Sequence, residues 1–105
     1  MSRFDNGRLN SAPLQALIPI FIEELKTDYQ SFQLNYKLKN FEICFELIHK
    51  ITGSALSFGI CDLANQLMFI RSALRDENTE LAEEEVNLLD SLIEELQQEA
   101  ETLKS

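Results

Sequence analysis

The sequence is poor in the residues that break a chain into short elements. It has 3 Gly, 2 Pro and no Trp. That scarcity of turn formers excludes a sandwich or barrel of many short strands and favours a few long helices. Histidine is scarcer still, with His49 the single one. The 2 cysteines, Cys44 and Cys61, form no CxxC pair and no Cys/His cluster, which excludes a closed zinc site. They are expected to be reduced, buried core residues. Basic charge is also short: 9 Lys+Arg stand against 18 Asp+Glu, a net charge of −9. Such a chain offers no basic patch for nucleic acid and no attraction to anionic lipid. No apolar run approaches the roughly 20 residues of a membrane span. The first residues, Met1-Ser2-Arg3-Phe4-Asp5, lack the apolar stretch of a signal peptide, so a cytoplasmic setting is expected.

What is present is helical periodicity in one domain of 105 residues. Residues 1–12 are polar and read as a loose lead-in, with the folded unit over 13–105. Pro13 suits the first turn of a helix, and Pro19 follows too soon for one smooth helix, so a short N-terminal helix or turn is expected before a long one. Ile22, Leu25, Tyr29, Phe32 and Tyr36 then recur at three- and four-residue steps. Asn40 is placed to cap a second helix whose stripe is Phe41, Cys44, Ile48, Ile51 and Ala55, and Gly59 suits its left-handed end. Leu63, Leu67, Ile70 and Leu74 mark a third helix. Asn78 or Thr79 opens a fourth, lined by Leu89, Leu92 or Ile93, Leu96 and Leu103. The spacing predicts helices over 19–36, 40–57, 60–75 and 80–103. Short connections make an all-α, antiparallel up-down-up-down four-helix bundle the natural arrangement. Four stripes can bury one another, so a monomer is expected.

The facing of His49 follows from about 100° per residue. With His49 at zero, Cys44, Ile48, Ile51 and Ala55 cluster at roughly 200–260°, so the imidazole points away from the core. Phe45 and Leu56 flank it as an apolar rim more suited to a partner than to the core. Glu46 and Ser57 share its side. Gly53 sits one turn later, inside a helix, where Gly costs about 1 kcal/mol against Ala. That cost is explained if something approaches the backbone closely there. Lys50 follows His49 directly and is the one positive charge close to it along the chain. An exposed imidazole beside a bare backbone suits a histidine that carries a covalent group. No triad, P-loop or kinase glycine loop accompanies it, and Glu42 and Glu46 read as a solvated edge rather than a metal site.

The stretch His49-Lys50-Ile51-Thr52-Gly53-Ser54-Ala55-Leu56-Ser57-Phe58-Gly59 resembles the signature of histidine-containing phosphotransfer (HPt) domains. That signature has a phosphorylated His, an often basic next residue, Gly four positions on and a second Gly ten positions on. Asn40-Phe41-Glu42 and Leu17-Ile18-Pro19-Ile20-Phe21 are similar to the openings of the family's active-site helix and of the helix before it. The resemblance runs from about Leu14 to Leu96. One departure is Thr52, where many members carry Lys. The resemblance implies a phosphorelay intermediate, a carrier rather than an enzyme. His49 would be the phosphoacceptor and Lys50 would support the phosphoryl group. Gly53, Phe45, Glu46, Leu56 and Ser57 would meet the partner. The implied partners are receiver domains of a hybrid sensor kinase or a response regulator. They would bring the Mg²⁺, and this chain would bind no cofactor of its own. The rival reading is a helical adaptor without chemistry, or a degenerate HPt-like docking protein.

Overall fold

Three near-identical turns set the architecture. In the computed structural model, which describes residues 12–104, four helices follow one another: α1 (Ala12–Lys37), α2 (Phe41–Ser57), α3 (Cys61–Arg75) and α4 (Thr79–Lys104). Each connection is three residues long and closes the helix before it in the same way. The amides of Lys39 and Asn40 bond to the carbonyls of Tyr36 and Asn35 at 3.1 and 2.9 Å. Those of Gly59 and Ile60 bond to Leu56 and Ala55 at 3.1 and 2.9 Å, and those of Glu77 and Asn78 to Leu74 and Ala73 at 3.2 and 2.9 Å. This is the paired-bond helix ending that needs a left-handed residue. The left-handed residues are Lys39 (φ 62°), Gly59 (φ 72°) and Glu77 (φ 57°).

The last residue of each turn also opens the next helix. Asn78 caps α4 with its side chain, Oδ1 accepting from the Leu81 amide at 3.1 Å. Asn40 does not cap α2 as expected: its side-chain amide turns back to Asn35 Oδ1 at 3.2 Å. Helix ends carry charges that suit the helix dipole, with Glu42, Asp62 and Glu80 in first turns and Lys37 and Arg75 in last turns.

The expected division of the N-terminal region is corrected. α1 runs unbroken from Ala12 through Pro19 to Lys37, so residues 13–18 belong to the long helix and form no short one of their own. Proline removes one intrahelical bond. Pro19 is exposed and lies near the start of the helix, so its ring meets solvent and only one bond close to the helix end is lost. Most of the proposed lead-in, residues 1–11, lies outside the described residues.

The predicted stripes form the core. Leu25, Phe32, Cys44, Ile48, Leu63, Leu67, Ile70, Leu89 and Leu96 are fully buried, and no charged side chain is buried with them among the described residues. Contacts between α1 and α2 advance along one and retreat along the other. On α1 and α2, Phe21 stacks on Phe58 at 4.7 Å, Asp28 meets Lys50, and the ring edge of Phe41 reaches Tyr36. On α3 and α4, Gln66 donates to the Glu85 carbonyl at 2.8 Å. On α1 and α4, the Tyr29 hydroxyl donates to Asp90 Oδ1 at 3.0 Å. Both cysteines are free, but only Cys44 is buried; Cys61, the first residue of α3, is exposed, against expectation. It lies at the head of α3, outside the buried stripe that begins at Leu63.

Candidate functional site

Helical phase puts His49 on the outer face of α2. The structure finds it exposed, while Cys44, Ile48, Ile51 and Ala55 on the other side of the same helix are buried. Around it the face is open. A Cβ built on Gly53 would meet nothing within 4 Å, so the glycine is not demanded by a neighbouring helix. Its helix-weakening cost therefore has no packing explanation. Leu56 is 51% exposed one turn further on. Glu46 and Ser57 are exposed as expected, and the Ser57 hydroxyl donates to the Gly53 carbonyl at 3.1 Å. Phe45 differs from expectation: it is half-buried and packs against the core.

The cations are arranged differently from the reading along the chain. Lys50 Nζ lies 3.1 Å from Asp28 Oδ1 of α1, and the Asp28 side chain is only 13% exposed. Lys50 thus serves an α1–α2 ion pair and is drawn to the side of the helix away from α3. Two other cations stand beside the imidazole. An open hollow of about 460 Å³ is lined by Phe45, Glu46, His49, Arg71 and Arg75. Arg71 and Arg75 come from α3, one turn apart on its outer side. Arg75 Nε is 3.9 Å from Asp76 Oδ1, with both side chains well exposed, and Arg71 forms no ion pair among the described residues. The view of Lys50 as the sole nearby positive charge is overturned. Sequence distance concealed these arginines, 22 and 26 positions beyond His49, and the turn at Gly59 brings them back to it.

No group of three His, Cys, Asp or Glu residues that could hold a metal ion occurs among the described residues. No helix there is long and apolar enough to cross a membrane. The hollow is built from one imidazole, two guanidinium groups, an aromatic wall and the Glu46 carboxylate, so cationic groups outnumber the anionic one. Guanidinium groups recognise phosphoryl oxygens by paired, charge-assisted hydrogen bonds, so the arrangement can host an anion on or beside the imidazole.

Comparison with known families agrees with this chemistry. The family model described as Hpt domain matches residues 16–99, most of the chain and all four helices. The chain belongs to the Hpt domain family, whose members pass phosphoryl groups through a histidine in two-component systems and act as carriers rather than catalysts. No curated protein and no solved structure matches it.

Proposed function

We propose that this protein is a phosphorelay intermediate that carries the phosphoryl group on His49. The Nε2 lone pair attacks the phosphorus of an aspartyl phosphate on a receiver domain. The bond from phosphorus to the aspartyl oxygen breaks, and the carboxylate leaves with its electron pair. The second transfer is the reverse, onto the aspartate of another receiver. The observation that carries this reading is the exposed imidazole sharing one hollow with Arg71 and Arg75.

The chain's own residues supply position and charge. α2 holds the imidazole on a rigid helix, and the up-down-up-down order that the contacts support swings α3 back to bring the arginines beside it. Their donors face the phosphoryl oxygens, where charge collects during transfer. Lys50 fixes α2 against α1 instead of touching the phosphoryl group. Gly53 leaves space for the receiver to come down over the ring, with Leu56 and Ser57 beside it and Glu46 at the edge of the hollow. Mg²⁺ and the carboxylates that hold it come with the receiver, as phosphoryl transfer to and from an aspartate requires. The carrier acts as a monomer in the cytoplasm, where receivers of sensor kinases and response regulators reach it.

The test is incubation with a phosphorylated receiver domain, followed by detection of acid-labile phosphate on this chain. Wild type should be labelled, and His49→Gln should not. Gly53→Gln should slow transfer by at least about tenfold, since a long side chain stands where the receiver docks. The same variant should fold as well as wild type or better, by up to about 1 kcal/mol in chemical denaturation, because Gln suits a helix better than Gly. Transfer by Gly53→Gln at the wild-type rate would move the docking face elsewhere. An adaptor without chemistry would keep its partner but show no label.

A further inference from the structure

A second hollow adjoins the first. It also measures about 460 Å³ and lies where the start of α2 meets the turn between α3 and α4. Phe41 and Phe45 form one wall, Leu74 and Ala82 line it more deeply, and Arg75 and Thr79 stand at its rim. Leu74 and Ala82 are buried, at 8% and 1% exposure, and both phenylalanines are half-buried against the core. The hollow has a simple origin in the sequence. Ala73 and Ala82 line it from either side of the turn, and two small side chains leave unfilled the space that larger ones would occupy. It borders the His49 hollow, since Phe45 and Arg75 line both.

We infer that this second cleft receives an apolar side chain of the same receiver that meets His49, and so helps decide which receivers the carrier accepts. The inference rests on the phosphorelay reading and adds to it the extent of the docking surface. A specific interface covers about 800 Å² on each partner, a patch reaching about 16 Å from its centre. Phe45 and Phe41 lie one and two turns before His49, about 6 and 12 Å along the helix axis. A receiver seated on the imidazole therefore covers the cleft as well. The lining is aromatic and aliphatic, and burying a Leu, Met or Phe in it gains about 1.5–3 kcal/mol of transfer free energy. Such a filled apolar pocket beside a polar reaction centre is the usual pattern of an interface anchor. Arg75 joins the two hollows, so the side chain that supports the phosphoryl group also borders the anchor.

The experiment uses the full chain and a receiver domain that labels wild type. Its binding is measured by calorimetry, and its footprint by amide resonance shifts on the isotope-labelled carrier. Thr79→Trp places a bulky ring at the rim and should weaken receiver binding at least tenfold, with the thermal unfolding midpoint kept as the check on folding. On wild type, with no substitution, the Leu74 and Ala82 amides should shift on receiver addition together with His49 and Gly53. Binding of Thr79→Trp within twofold of wild type would overturn the inference. So would shifts that stop at Phe45, or a cleft that fills with a small apolar probe such as indole while receiver affinity stays the same. A different pattern marks failure of the underlying reading: phosphoramidate labels His49 directly, yet no receiver binds or labels the wild-type chain.

Discussion

The outer side of α4 and the face carrying His49 use charge in opposite ways. α4 holds nine Asp or Glu among its 26 residues and a single base, Lys104. α3 has two Arg against one Asp, and both arginines stand beside the only histidine. The net charge of −9 is therefore an average over two unlike surfaces. Net charge governs what the whole molecule repels and keeps it soluble. A reaction centre responds to the few charges within a Debye length of it, about 8–10 Å. An acidic protein can therefore offer an anion site, provided its few cations are folded onto one spot.

Reversing the charges tests that contrast most severely. Arg71→Glu with Arg75→Glu should cut phosphoryl transfer from a receiver by about ten- to a hundredfold, since like charges would then face the phosphoryl group. Reversing Glu84 and Glu94 on α4 to Arg changes the net charge by the same amount in the other direction and should alter transfer by no more than about twofold. Rates of label transfer for the two double variants decide between a local and a global effect, and equal losses would remove the distinction between the faces.

The α4 side has its own use for a carboxylate, in packing rather than chemistry. Asp90 accepts from the Tyr29 hydroxyl, and burial, helped by the neighbouring carboxylate, pushes the phenol well above its usual range. Tyr29→Phe should cost about 1 kcal/mol at neutral pH. The sign with pH is fixed by proton binding. The folded state holds the phenolic proton more tightly than the unfolded chain, whose tyrosines ionise near pH 10. The tyrosine's contribution is complete below about pH 10 and falls away as pH rises further. Urea denaturation from pH 7 to 11 should show wild type losing stability more steeply than Tyr29→Phe above pH 10. A shallower fall from about pH 9 remains in both, because burial raises the Cys44 thiol to about 11.

The smallest effect concerns the turn that joins the two faces. Glu77 holds a left-handed φ of 57° in the role that Gly59 fills at 72° one turn earlier. A side chain there costs about 1 kcal/mol that glycine avoids. Glu77→Gly should raise the unfolding midpoint by a few degrees, and Gly59→Ala should lower it by a similar amount. Calorimetric melting of both checks whether the two turns are equivalent.

Much of this was legible in the sequence. The stripes through Leu25, Ile48, Leu67 and Leu89 announce helices because packing on one face imposes the period. His49 is exposed for the same reason, since phase within one helix is local arithmetic. The rest depends on contacts between helices. Nothing near Lys50 in the sequence signals that Asp28 holds it, and nothing near His49 signals Arg71. A counting argument comes close: His49 lies ten residues before Gly59 and Arg71 twelve after, so a tight turn returns α3 to the right level. The continuous α1 was missed because Pro19 reads as a breaker, whereas in an exposed second turn the lost bond is tolerated. Cys61 was misjudged because apolar neighbours in sequence do not bury the first residue of a helix.

The uniformity of the three turns has a consequence for how this chain can drift. Each turn uses one residue both to finish one helix and to start the next, with no slack between them. A substitution at Lys39 or Glu77 alters stability by a small increment and leaves the register intact. One residue added between Phe58 and Cys61 would break the paired bonds from Gly59 and Ile60 to Leu56 and Ala55, and the α3 stripe, held by the core, would keep its facing only if the loop loosens to take up the extra residue. Spelling can therefore vary along these joints at small cost, whereas a change of length first undoes the tight ending that sets the level of Arg71 against His49.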